Sequence, residues 1–182
     1  MAGLIVTIIT VIQGLLLVAA ALMVSWLAFL IAAPGYADGP PFVATKREQA
    51  EIMAGFAALR PGETVVDLGS GDGRLLIAAA RSGCAAVGYE INPFLVLWTR
   101  FKARRNGVSR LVRVHCANFW KADLSAADVV MVFGFAGIME RLGRKFADEL
   151  KPGARIVAHR YPLPGWRTAA EADRVYLYRK EA

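Results

Sequence analysis

The sequence predicts an α/β fold: a mostly parallel sheet with helices on both faces, preceded by one long apolar helix. Three observations carry this. Short Val/Ile-rich runs alternate with helical patterns from Thr64 to Tyr178. One of those runs, Thr64–Leu68, ends in Gly69-Ser70-Gly71-Asp72-Gly73 and then a helical pattern from Arg74. And Gly3 to Ala33 contains no charged residue. Of the 182 residues, those past the apolar head suffice for one domain with a real core and are too few for two.

In chain order, Gly3–Ala33 is a transmembrane anchor. At about 1.5 Å per residue it exceeds the roughly 30 Å hydrocarbon core, with Gln13 and Ser25 as its polar interruptions and Trp26 suited to an interface. A cleaved signal peptide is the competing reading. No Lys or Arg precedes the run, and the run is about twice a signal core in length. The first basic pair, Lys46-Arg47, follows the span, so the positive-inside rule puts the rest of the chain in the cytoplasm.

Residues 34–62 are a linker and a first domain helix, and 63–182 the main domain. Pro34 to Pro41 stops the apolar helix and is short enough to hold the domain near a bilayer. Thr45 and Glu48 form a capping box for a helix over Lys46–Leu59. Strands follow at Thr64–Leu68, Ala85–Glu90, Leu111–Cys116, Val129–Phe133, Ala154–Ala158 and Val175–Tyr178. Helices follow at Arg74–Arg81, Phe94–Asn106 and Ile138–Leu150. The short tail predicts that the last helix and strands of a seven-stranded sheet are reduced. Phe94, Leu97, Trp98 and Phe101 recur at helical spacing and read as core. Cys84 and Cys116 lack metal or C-x-x-C spacing and read as reduced core residues; with His115 and His159 the only histidines, no metal site is expected.

The glycine loop carries the chemistry. A strand, a glycine turn, a helix and a second strand ending in an acid, Glu90, make a nucleoside pocket, because that carboxylate can accept both ribose hydroxyls. A dinucleotide fingerprint needs its third glycine at position 74, which is Arg74 here. Asp67, just ahead of the loop, would repel a pyrophosphate and suits a cationic ligand. Asp67, Gly69, Ser70, Gly71, Gly73 and Glu90 are therefore the candidate cofactor contacts. D-x-G-x-G-x-G with a second-strand acid resembles the S-adenosylmethionine (SAM) site of seven-β-strand methyltransferases, a Rossmann-like fold. Asn118 and Phe119, in the loop after the third strand, stand where adenine contacts are expected.

The acceptor is read from the neighbouring loops. Phe133-Gly134-Phe135-Ala136 lacks the Asn/Asp-Pro-Pro-Tyr that binds amide-like nitrogens, which disfavours nucleobase and glutamine targets. An apolar, aromatic mouth suits a lysine, whose amine pKa falls on desolvation. Phe42, Trp120, Phe135, Tyr161 and Trp166 are candidates for that mouth. The catalytic residue is not fixed by the sequence; His159, Trp120 and Phe135 are the candidates. The net charge of +7 is concentrated: from Ile91 to Ala122 there is no acid, while Arg100, Lys102, Arg104, Arg105, Arg110, Arg113 and Lys121 fall there. That face suits anionic lipid or nucleic acid, or is a solvated helix face.

From about Pro40 to Trp166 the chain resembles the small membrane-anchored protein-lysine methyltransferases related to those acting on the adenine nucleotide translocase and on the c-ring protein of ATP synthase. The resemblance rests on Pro41–Thr45, Asp67–Arg74, Gly88–Pro93, Phe119–Leu124, Val132–Gly134 and Arg160–Trp166. The family pattern has Asp at the position of Asn118, and a Val-Pro-Gln type loop at Phe135-Ala136-Gly137. The resemblance implies SAM as cofactor, with contacts from Asp67, Gly69, Gly71, Glu90 and the position of Asn118, and a protein substrate in or beside the membrane. A bacterial-type relative, single-pass in the inner or plasma membrane, is the expectation. An RNA methyltransferase, a lipid or small-molecule methyltransferase and a non-catalytic SAM-binding membrane module are the alternatives.

Overall fold

The computed structural model describes residues 2–32 and 47–181. The chain divides into two units, residues 1–41 and 42–182.

The first unit holds α1 (Ala2–Ala32). Within it Ile5–Ala28 has a mean hydropathy of 2.5 and is not buried by protein, so it is long and apolar enough to cross a membrane. Its threonines hide their hydroxyls: Thr7 and Thr10 each donate to the carbonyl four residues earlier, Gly3 and Val6, at 3.0 Å.

In the second unit, α2 (Arg47–Ala57) is followed by β1 (Thr64–Leu68), α3 (Arg74–Arg81), β2 (Ala85–Glu90), α4 (Pro93–Arg105), β3 (Val112–Cys116), β4 (Val129–Phe133), α5 (Ala136–Glu149), β5 (Arg155–His159), β6 (Ala170–Ala172) and β7 (Val175–Arg179). The sheet has seven strands in the order β3-β2-β1-β4-β5-β7-β6. The first five are parallel; β7 runs antiparallel between β5 and β6. Chain order reverses between β1 and β4, so the loops leaving them open a crevice at the carboxyl edge.

The central strands feed two cores by alternation. Val65, Met131 and Val157 pack with Met53 of α2, Leu76 of α3 and Val96 of α4. Val66, Val130, Val132 and Ile156 pack with Met139, Leu142 and Phe146 of α5. At the opposite edge, buried Arg155 pairs with Glu63 and donates to the Ala58 carbonyl at 3.1 Å, tying β5 to the lead into β1.

The structure bears out the shortening expected at the carboxyl-terminal end and corrects two other expectations. All seven strands form, with β6 added. What is short at that end is β6 itself, and the segment from Arg160 to Ala169 carries no helix. Its Leu163 N–H donates to the Tyr178 hydroxyl at 2.9 Å. The apolar stripe of α4 is not core: Phe94, Leu97, Trp98 and Phe101 are exposed, and the buried residues are Val96, Thr99 and Ala103. The reason is proximity. A Cβ built on Gly73 falls inside the Thr99 side chain, 2.6 Å from its Oγ1, so α4 must present small residues to the glycine loop. Cys116 is exposed, because β3 is an edge strand; Cys84 is buried as expected. Thr45 and the Glu48 side chain of the capping box lie outside the described residues.

Candidate functional site

The crevice is built on the turn leaving β1. Gly69, Gly71 and Gly73 all have positive φ, at 80°, 52° and 73°. An L-residue there would be strained, and the loop exposes its backbone to whatever sits above it. The loop is fastened to β2 from below: the N–H groups of Gly69 and Ser70 both donate to the Tyr89 carbonyl, at 2.9 and 3.0 Å. Glu90, buried at the end of β2, accepts from Gly71 N–H (2.9 Å) and Asn92 N–H (2.8 Å). A carboxylate has about four acceptor sites, so Glu90 keeps capacity for a ligand's hydroxyls.

From the far side α4 supplies two contacts that the sequence reading missed. Thr99 Oγ1 donates to the Gly71 carbonyl at 3.2 Å, and Lys102 Nζ lies 2.9 Å from Asp72. Arg74 closes on the same Asp72 carboxylate at 3.0 Å. Burial pushes the Asp72 carboxyl up, but the bonds from Arg74 and Lys102 outweigh it and hold it below the usual carboxylate range. The available signal was the polar pair Thr99 and Lys102 at i, i+3 beside the small residue Ala103.

Asp67 is different. It is buried at 4 % exposure, on the sheet face that carries α2, α3 and α4. Burial first, then the like charges of Glu90 and Asp72, push its pKa from 3.8 up to about 7. Ser70 Oγ, beside it in the loop, is buried with no hydrogen-bond partner among the described residues. The arrangement is short of a positive charge and of a polar group to meet Ser70.

Asn118 and Phe119 stand in the loop at the end of β3. Ala117 N–H donates to the Glu90 carbonyl at 3.0 Å, which keeps this loop beside β2. Asn118 Oδ1 accepts from Trp120 N–H at 3.0 Å and caps a short 3-10 turn, leaving one lone pair free. Phe119 and Trp120 lie 4.9 Å apart, and the Arg141 guanidinium covers the Trp120 ring at 3.9 Å.

The candidate catalytic residues separate. His159 ends β5 in register with Phe133 at the end of β4, their rings 4.6 Å apart. Its Nδ1 is buried without a partner among the described residues. Burial, then the charge of Arg160, lowers its pKa, so the imidazole is neutral near pH 7. Arg160 itself has φ 78°, a left-handed turn that takes the chain sharply away from the strand. Phe135 is half-buried at the start of α5, its ring near Gly137, and Trp120 is held on α5 by Arg141. Of the other candidates for the mouth, Trp166 packs edge-on against Tyr178 at 6.3 Å and is a core contact, Tyr161 is half-buried, and Phe42 lies outside the described residues. No cluster of three or more metal-ligating side chains occurs among the described residues.

Comparison with known proteins places this geometry. The family model described as the ANTKMT methyltransferase domain matches residues 67–170, from the acid before the glycine loop to the start of β6. The chain belongs to this family. It is 39% identical over 159 residues to the adenine nucleotide translocase lysine N-methyltransferase of Mus musculus, covering 82% of this chain and 69% of the relative. It is 39% identical over 142 residues to the lysine N-methyltransferase of Rattus norvegicus that is named for the C-subunit of ATP synthase, covering 76% of this chain and 65% of the relative. It is 35% identical over 133 residues to a protein-lysine N-methyltransferase of Saccharolobus islandicus (strain REY15A), covering 72% of this chain and 83% of the relative. The chain spans 55% to 65% of the length of the vertebrate ATP synthase methyltransferases it matches. Among solved structures, an RNA methyltransferase from Salinibacter ruber in complex with S-adenosyl-L-homocysteine superposes with a TM-score of 0.70 at 32% identity, covering 76% of this chain and 92% of that one.

The site fits SAM on its own terms. Asp67 lacks a neighbouring cation, which the ammonium and sulfonium of SAM would supply. Glu90 retains acceptor capacity for ribose hydroxyls, and the open left-handed backbone of Gly69, with nothing near its Cβ position, admits close approach.

Proposed function

We propose that this methyltransferase uses SAM to methylate lysine side chains of a membrane or membrane-proximal protein, and that Ile5–Ala28 holds it in the inner or plasma membrane by a single span with the catalytic domain in the cytoplasm. The observation that carries the cofactor is the buried, like-charged pair Asp67 and Glu90 beneath an open glycine loop. Kinship with an ATP synthase lysine methyltransferase and with a prokaryotic protein-lysine methyltransferase supports the acceptor. The Lys46-Arg47 pair after the span supports the orientation.

In this mechanism SAM supplies a methyl group already activated by a sulfonium. The protein must orient it, exclude water and keep the acceptor amine neutral. Asp67 holds the ligand's positive charge, Glu90 takes the ribose hydroxyls, and Asn118 keeps an oxygen lone pair for the adenine amino group. Half-buried Phe135 and Trp120 offer a desolvating mouth in which a lysine ammonium gives up its proton more readily. Neutral His159, its Nδ1 without a partner among the described residues, is the candidate to accept that proton.

Tritiated SAM and the full chain, incubated with membranes from cells lacking this protein, test the reading. The expected result is label in a protein band that yields methyl-lysine on hydrolysis, abolished by Asp67→Ala and by Glu90→Ala. A second reading is favoured by the Salinibacter relative's description and by the acid-free basic stretch: methyl transfer to RNA. Label in an RNA fraction would establish it, and label in extracted lipid would overturn both.

A further inference from the structure

The face of α4 turned away from the sheet is an apolar ridge in a basic surround. Phe94, Leu97, Trp98 and Phe101 follow one another at i, i+3, i+4 and i+7, exposed by 38%, 61%, 51% and 46%. The same line continues through exposed Arg104 and Arg105, the latter 5.9 Å over the Phe101 ring. Trp98 and Phe101 stack at 5.4 Å, so the ridge is organised rather than splayed. Exposed Arg100 lies on the same helix and donates to the Val114 carbonyl at 2.8 Å, Leu111 is a further exposed apolar side chain, and no acid occurs between Ile91 and Ala122.

We propose that this face of α4 docks on an anionic lipid bilayer, as a second contact additional to the α1 span. The chemistry favours lipid over the other occupants. Trp and Phe rings beside Leu sink to the headgroup boundary, and the arginines at the end of the ridge meet lipid phosphates. A second copy would bring a basic, acid-free face against its own image, with no carboxylate to pair the arginines. Single-stranded RNA takes a charged groove with stacking platforms, whereas this is a convex ridge with an aliphatic residue, Leu97, in its middle. Because α4 begins just after Glu90, docking holds the carboxyl edge of the sheet, where the glycine loop lies, at the lipid surface.

The inference rests on the anchored reading, and one experiment separates the two. The full chain carries Cys116→Ser and Leu97→Cys, labelled at position 97 with an environment-sensitive fluorophore. It is reconstituted in nanodiscs of phosphatidylcholine alone or with phosphatidylglycerol. A matching label at exposed Ala147 on α5 serves as reference. In phosphatidylglycerol discs the label at 97 should shift to the blue and be quenched by spin-labelled lipids, while that at 147 stays in water. Arg104→Gln with Arg105→Gln should weaken docking about 25-fold, at roughly five-fold per arginine, and high salt should release it.

A label at 97 that stays in water in an inserted chain overturns docking alone. A chain extracted from discs by alkaline carbonate overturns the anchor. A label already buried in detergent-solubilised dimers, or one that responds to an oligouridylate and not to phosphatidylglycerol, assigns the face to a second copy or to RNA and overturns the proposal.

Discussion

With the ligand's positive charge on Asp67, as proposed, cofactor binding becomes a proton-linked event whose linkage has a definite sign. In the empty site its pKa lies at about 7 instead of 3.8, because burial, Glu90 and Asp72 all disfavour the carboxylate. A cationic ligand binds the ionised form, so binding must expel whatever proton Asp67 holds. Below pH 7 the ligand's own ammonium stays charged and Asp67 is the group that titrates. Affinity should then fall about ten-fold per pH unit, reaching about 100-fold at pH 5, roughly 3 kcal/mol. Isothermal titration of the full chain with SAM, in buffers of different ionisation enthalpy, reads this directly. About half a proton is released at pH 7 and nearly a whole one at pH 6. The same shift acts on stability. The folded pKa is raised, so the folded state binds protons more tightly, and the ligand-free protein loses stability as pH rises from about 4 to about 7, on the order of 4 kcal/mol in all. Asp67→Asn removes that loss: the empty variant should be more stable than the parent at pH 8 while failing to bind SAM. An affinity flat from pH 5.5 to 7, with no proton released, would refute the placement of the ligand's positive charge on Asp67.

Three further outcomes follow from the geometry. Gly73→Ala puts a methyl into Thr99 at φ 73°, and should cost about 1–3 kcal/mol in thermal unfolding and weaken SAM binding; adding Thr99→Ser, which removes the clashing methyl, should restore part of both. Glu63→Gln strands the buried Arg155 guanidinium and should cost about 3–5 kcal/mol in denaturant unfolding with the SAM dissociation constant unchanged, since this pair sits at the opposite edge of the sheet from the glycine loop. His159→Asn should lower kcat about 100-fold with SAM affinity intact and remove the acid limb of the kcat profile; an unchanged kcat would leave His159 as a packing partner of Phe133.

β4 was legible because it is buried on both faces and reads as an unbroken apolar run: Val129–Phe133 has the predicted limits. The glycine loop was legible because left-handed backbone at three alternate positions admits little but glycine. β6 escaped notice for the opposite reason. Ala170-Glu171-Ala172 has no strand-forming residue, and its hairpin turns through Asp173 and Arg174, both at positive φ, without the glycine or asparagine that marks such turns. The α4 stripe was misread because helical periodicity identifies a face without saying which way it points. A helix that must approach a glycine loop buries its small residues, and its large ones are left outside.

That inversion gives α4 two faces with separable jobs. The inward face sets the pocket: Thr99 holds the Gly71 carbonyl and Lys102 neutralises Asp72, whose charge otherwise adds to the load on Asp67. The outward face touches none of these groups. Thr99→Val keeps the shape and deletes one hydrogen bond to a buried carbonyl. It should cost about 1–3 kcal/mol of stability and weaken SAM binding, because Gly71 is the residue whose N–H positions Glu90. Leu97→Gln, two positions away on the exposed side, should leave folding and SAM affinity within error of the parent and act, if anywhere, at the membrane. Measured together by thermal unfolding and titration in detergent, the pair decides whether α4 is one cooperative unit or two surfaces on one rod. If Leu97→Gln weakens SAM binding as Thr99→Val does, the exposed ridge is coupled to the glycine loop, and the division of the helix into an inner and an outer function fails.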